Sequence, residues 1–151
     1  MDKPDEKVSI RLLADLLTHL SRRGFIAHDF IKMGWHSVSL GANAPLSMHF
    51  KGLSQMGVFE KLIDEVAHVY EENFDYRIVK ATSRSIQVRS TLKASKTEDF
   101  KTNKVDNLFV SYYRQGVFAA HLKHAGYPIA NSTFLSSIHL GHDTEDFSLS
   151  W

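Results

Sequence analysis

Tyr76-Arg77-Ile78-Val79-Lys80-Ala81, then Thr82-Ser83-Arg84-Ser85, then Ile86-Gln87-Val88-Arg89-Ser90-Thr91-Leu92-Lys93: two runs of period-two alternation are joined by a short polar turn. In the first run Tyr76, Ile78 and Lys80 alternate with Arg77, Val79 and Ala81. In the second, Ile86, Val88, Ser90 and Leu92 alternate with Gln87, Arg89, Thr91 and Lys93. Successive side chains of a strand point to opposite faces, so this stretch predicts a β-hairpin with one face available to a core. A second hairpin is predicted from Ile129 to Leu140 and from Asp146 to Trp151, turning at Gly141-His142-Asp143-Thr144. There Phe147, Leu149 and Trp151 alternate with Ser148 and Ser150.

The segments around these hairpins carry helical spacing. From Leu53 to Phe74 the apolar residues Met56, Phe59, Leu62, Ile63, Val66, Val69 and Tyr70 recur every three or four positions. A helix from Val105 to His124 places Leu108, Phe109, Tyr112, Tyr113, Gly116, Val117 and Ala120 along its apolar side and is ended by Gly126 and Pro128. Residues 8–23 form an amphipathic helix stopped by Gly24. A short helix is expected at 25–33, after which Gly34, Gly41 and Pro45 predict an irregular stretch. Residues 94–104 lack periodicity and read as a solvent loop. Two hairpins unite into one sheet whose apolar face the helices must cover, so the expected fold is α+β. It is an antiparallel sheet of about four strands in the order ααα-ββ-α-ββ. Residues 1–151 are read as one domain, with a helical N-terminal lobe at 1–52 and the α-ββ-α-ββ core at 53–151.

Composition narrows the function. The 43% hydrophobic and 23% charged residues are those of a folding chain rather than a disordered one. A net charge of +1, from 18 basic and 17 acidic side chains spread along the sequence, offers no basic face to nucleic acid. The absence of Cys excludes disulfides, thiolate nucleophiles and Cys-type zinc sites and is compatible with a cytoplasmic location. No run approaches the roughly 20 apolar residues of a membrane span, and the charged amino terminus does not read as a signal peptide. The last residues, Ser148-Leu149-Ser150-Trp151, fit either a tied-down terminus or a longer protein cut short there.

No catalytic centre assembles from local motifs, and the chain is expected not to be an enzyme. Ser132, Ser136 and Ser137 lack the turn that exposes a hydrolase serine, and Glu71-Glu72 and Asp143-Glu145-Asp146 read as solvated charge. His121 and His124, three apart on a helix, have metal-ligand spacing, but helix-surface histidines explain them more simply; His139 and His142, beside the last turn, read as solvated. Trp35-His36 is the preferred pocket feature, because an indole plate beside an imidazole suits an aromatic or hydroxylated ligand; the alternative makes Trp35 a core anchor. Phe59, Phe109, Tyr112 and Tyr113 complete the candidate ligand-binding set, although an aromatic stripe at helical spacing also builds a core.

The helix stretch Tyr112-Tyr113-Arg114-Gln115-Gly116 and the closing hairpin from Gly141 to Trp151 resemble the vinyl-reductase-type sensor domains and the related haem nitric-oxide-binding domains, over roughly residues 53–151. Gly141, Phe147 and Trp151 fit the frame of that hairpin. Its two Cys positions fall on Ser137 and Glu145, so the zinc site of some relatives is not expected here. Haem is disfavoured as well, since of the haem signature Val110-Ser111-Tyr112-Tyr113-Arg114 keeps only the Arg. The resemblance implies a regulatory domain, often a homodimer, that encloses a small apolar or aromatic effector and acts on an output protein or domain. No required cofactor is implied. The alternatives are a ligand-free dimerisation or protein-interaction module of the same fold, and a haem-based gas sensor.

Overall fold

The computed structural model describes residues 10–40, 52–67, 73–96, 107–124, 126–128 and 131–151. The two alternating runs form strands β1 (Phe74–Ala81) and β2 (Ser85–Leu92), and the closing segment forms β3 (Asn131–Ser136) and β4 (Glu145–Ser150). All neighbours are antiparallel and the spatial order is β1-β2-β4-β3, so the later strand of each hairpin lies at the centre. Helices α1 (Ile10–Arg22), α2 (Ala27–Leu40) and α3 (Gln55–Lys61, continued by a π-helical turn at Leu62–Ala67) precede the first hairpin, and α4 (Leu108–His124) separates the two. This is the α+β arrangement expected from the periodicities.

Alternation decides which face is covered. Ile86 and Val88 of β2 meet Phe147 and Leu149 of β4 across the pairing, and all four are buried with Val58, Phe59 and Leu62 of α3 and Phe118, Ala119 and Leu122 of α4. A second cluster joins Ala14 and Leu17 of α1, Phe30 of α2 and Val110 of α4. Helix α4 belongs to both clusters and is therefore covered on two sides, which explains why burial extends beyond the aromatic stripe that its sequence displays. Gly126, at φ 91°, closes α4 with its N–H on the Lys123 carbonyl, while Tyr127 N–H reaches Leu122. This left-handed cap favours a residue without Cβ.

Four expectations are corrected. Gly34 does not break the chain: α2 runs through it to Leu40, so Trp35-His36 stands on a helix rather than in a loop. The reason is close packing against α4. A Cβ at Gly34 would fall inside contact distance of the Tyr113 carbonyl oxygen and 3.1 Å from Val117 N, and one at Gly116 would collide with the Ile31 carbonyl and lie 2.8 Å from Trp35 N. Two glycines thus let the backbones of α2 and α4 touch. Second, Ile138–Leu140 is a 3-10 turn instead of the end of a strand, with Ser137 capping it through His139 N–H. Third, Glu145 and Asp146 are buried at 0% and 5% exposure rather than solvated, and His139 is buried at 8%. The expected 53–74 helix also ends early, since Phe74 already opens β1; residues 68–72 of it, 97–104 of the expected loop and the Gly41-Pro45 stretch lie outside the described residues.

On the open face of the sheet, Arg89 of β2 grips Asp146 of β4 through two bonds of 2.7 Å, and Gln87 adds a third at 3.1 Å. The hydrogen bonds from Arg89 outweigh the cost of burial and hold the Asp146 carboxyl below its ordinary range. A depressed carboxylate contributes stability that is complete above its unfolded value, about pH 4, and is lost as pH falls through the lower folded value. Urea unfolding between about pH 6 and pH 2 is expected to show a loss of stability in that acid window that is smaller in Asp146→Asn. An identical acid slope in the variant would contradict this role.

Candidate functional site

The inward stripe of α4 at Asn107, Ser111, Arg114 and Phe118 begins polar and ends apolar. Its polar part meets the start of β4. Arg114 Nη1 donates to Glu145 Oε1 at 3.0 Å, with side-chain exposures of 9% and 0%, and Arg114 Nη2 donates to the Tyr76 hydroxyl at 2.6 Å. Ser111 Oγ donates to Glu145 Oε2 at 2.6 Å, and Ser137 Oγ lies 2.8 Å from Ser111 and 3.2 Å from the same carboxylate oxygen. The guanidinium carbon stands 4.0 Å from the Phe74 ring centre, with Tyr76 at 5.3 Å and Phe147 at 5.8 Å. A charge taken out of water is tolerable only when its donors and acceptors are matched, and here carboxylate, hydroxyls and aromatic faces do so.

The cluster continues outward through Asn107. Its side-chain oxygen accepts Phe109 N–H at 2.8 Å and so caps α4, while its amide donates to the Ala14 carbonyl at 2.8 Å and to Thr18 Oγ1 at 2.6 Å. The backbone N–H of Asn107 donates to His139 Nδ1 at 2.8 Å. One buried polar chain therefore links α1, α4 and the closing hairpin.

The predicted ligand residues are dispersed around α4. Phe59 is fully buried in the sheet-side core, with Phe118 at a ring distance of 6.4 Å. Trp35 is half-buried against the same core, and His36 is exposed on α2. Phe109, Tyr112 and Tyr113 are half-buried beside the other cluster. Phe109 lies 4.8 Å from Phe30, and Tyr112 meets Phe134 of β3 edge-on at 5.2 Å. The structure brings Phe109, Tyr112 and Tyr113 onto one stretch of helix and sets Trp35 across the crossing from Gly116, packed against the core that holds Phe59, while His36 is exposed.

His121 is buried with Nδ1 2.7 Å from the Val117 carbonyl, and the side chain of His124 lies outside what is described. Among the described residues no group of three His, Asp or Glu side chains is arranged for a metal, and no helix is long and apolar enough to cross a membrane.

Sequence reasoning missed the cluster around Arg114. Its available signal was the four-three-four spacing of Asn107, Ser111, Arg114 and Phe118, which puts polar residues on one face of a helix read for its aromatics. Ser137 and Glu145, the two positions standing where the resembling hairpin has Cys, do meet, but as part of this hydrogen-bonded cluster.

The architecture has counterparts among solved structures. The chain is similar to the phenol-responsive sensory domain of the transcription activator PoxR, solved with phenol, at a TM-score of 0.63 and 14% identity over 96% of this chain and 76% of that one. It is also similar to a trafficking protein particle complex subunit 3 from Naegleria fowleri, covalently bound to palmitic acid. There the TM-score is 0.60 and the identity 14% over 93% of each chain. The α+β fold is thus shared with both. No protein-family model matches the sequence, and no curated protein does.

Proposed function

We propose that the chain is a regulatory domain that binds a small apolar or aromatic effector against α4 and passes its occupancy to a separate output protein or domain. The observation that carries this reading is an architecture shared over nearly the whole chain with two domains solved with a small molecule, one with phenol and one with palmitic acid. The absence of Cys leaves no acceptor for a thioester, and the effector is read as held non-covalently. The lining assigned here is Phe109, Tyr112 and Tyr113 with Phe134. Their rings are half-buried and so reachable, unlike the sealed Phe59, and aromatic faces and edges suit a phenol or an acyl chain. The domain is further read as kin of the vinyl-reductase-type and haem nitric-oxide-binding sensors, bacterial, cytoplasmic and homodimeric, with neither a catalytic step nor a required cofactor.

A second reading, a ligand-free interaction module, draws on Leu12 and Leu16 of α1 and the following Phe25 and Ile26, all exposed by between 41% and 64%. Thermal unfolding with phenols, fatty acids and other hydrophobic metabolites separates the two. A ligand at about 100 times its dissociation constant adds about 2.7 kcal/mol, which raises the melting temperature by roughly 5–10 °C in a domain of this size. A melting temperature unmoved by every compound would sink the effector reading and leave the interaction module. Addition of haem to the purified protein, followed by absorbance, tests the haem alternative: the effector reading expects the broad Soret band of free haem, neither shifted nor sharpened by the protein.

A further inference from the structure

Given an effector seated against α4, the reading on which this rests, we infer that Gln115 selects it and that its class is an aromatic ring carrying a hydroxyl, a phenol rather than an acyl carboxylate. Gln115 stands on α4 one turn beyond Tyr112 and is closed in, at 7% exposure. Ser132 and Phe134, two apart on β3, pair with the core residues Leu149 and Phe147 of β4 and so share the covered face of the sheet. The seam between α4 and β3 is therefore crossed twice. Tyr112 meets Phe134 edge-on at 5.2 Å. One turn further, Gln115 Nε2 donates to the Ser132 carbonyl, and Ser132 Oγ reaches the Gln115 carbonyl at 3.4 Å.

A carbonyl only accepts, so the end of the amide that faces Ser132 must be its NH2 group, and Oε1 takes the other position. Among the described residues nothing donates to Oε1, yet the atom is not sealed from solvent. An amide oxygen on a buried side chain, without a donor from the protein, calls for one from outside it. Water can supply that donor, and an effector ring laid against Tyr112 and Phe134 brings its own within one helical turn. What the amide leaves open is Oε1 and its second N–H. A hydroxyl both donates and accepts, so it answers both. An ether or an ionised carboxylate has no proton to give: it can take the N–H, but it sets its own lone pairs against Oε1. Phenols keep their proton to about pH 10 and carboxylic acids lose theirs near about pH 4, so at neutral pH the seam separates the two classes. The bonds to Ser132 hold the amide in this orientation before the effector arrives.

Binding of phenol, of its methyl ether anisole and of palmitate to the full chain at about pH 7, in the wild type and in Gln115→Met, tests the assignment. The wild type should hold phenol at least about fivefold tighter than anisole, the effect of one net hydrogen bond, although burial of the extra methyl group by itself favours anisole. The side-chain amide protons of Gln115 should shift in the NMR spectrum as phenol saturates the protein. In Gln115→Met the preference should level or reverse, since Met fills the same space without an acceptor. Anisole held as tightly as phenol by the wild type, a phenol preference kept in the variant, or palmitate bound and phenol not, would overturn the role of Gln115 while the effector reading stands. Should the variant fail to fold, the wild type decides: a preference for phenol with the Gln115 amide signals moved supports the role, and either one missing refutes it. Failure of every compound to bind the wild type would sink the effector reading itself, and this role with it.

Discussion

Replacing Arg114 by Met is expected to destabilise the domain by about 3–5 kcal/mol, because it leaves the fully buried Glu145 carboxylate without its cation. Ser111 and Ser137 still donate to that carboxylate, but two hydroxyls do not replace a guanidinium. The aromatic faces of Phe74, Tyr76 and Phe147 lose their cation at the same time. The distinguishing result is the double variant Arg114→Met/Glu145→Met. Removing both charges abolishes the desolvation cost along with the attraction, so the double variant should be more stable than Arg114→Met alone, a coupling measured by urea unfolding of the four proteins in the cycle. Additive losses would show that Arg114 acts through packing instead of charge.

Adding a single methyl group at the helix crossing should be nearly as damaging. In Gly116→Ala the new Cβ meets backbone atoms of Ile31 and Trp35, which cannot rotate away as a side chain would, so α2 and α4 must separate. Overpacking of this kind costs up to about 3 kcal/mol or more, against which the better helix propensity of Ala returns about 1 kcal/mol. The net loss of about 2 kcal/mol lowers the melting temperature by roughly 4–8 °C. Gly34→Ala should act in the same direction, and the double variant should fall short of the sum, because helices already parted accommodate the second methyl group more easily. Wild-type stability in both single variants would mean that the backbones do not touch as described.

These two expectations also show where the sequence was legible. The hairpins could be read because alternation is local: Ile86 and Val88 declare one face within three residues, and the burial of their strand follows. Gly34 misled because helix propensity treats glycine as a breaker, whereas its cost is offset by a contact with Tyr113 and Val117, far along the chain. Glu145 and His139 misled for the same reason. A carboxylate and an imidazole beside a turn are normally solvated, whereas here partners 31 and 32 residues earlier, Arg114 and Asn107, bond to them where they are buried. For the candidate ligand set, residue type was legible but burial was not. Aromatic residues at helical spacing do not say which rings are sealed, and tertiary packing separates the closed Phe59 from the half-open Phe109, Tyr112 and Tyr113.

The effector-binding account is tested most directly by mapping amide chemical shifts of the full chain during titration with phenol and, separately, with palmitate. The account predicts saturable shifts from at least one of the two, concentrated on Phe109, Tyr112 and Tyr113 of α4 and on Phe134 of β3. Shifts absent with both compounds, or confined to exposed positions such as Leu12 and Leu16 of α1, would contradict it.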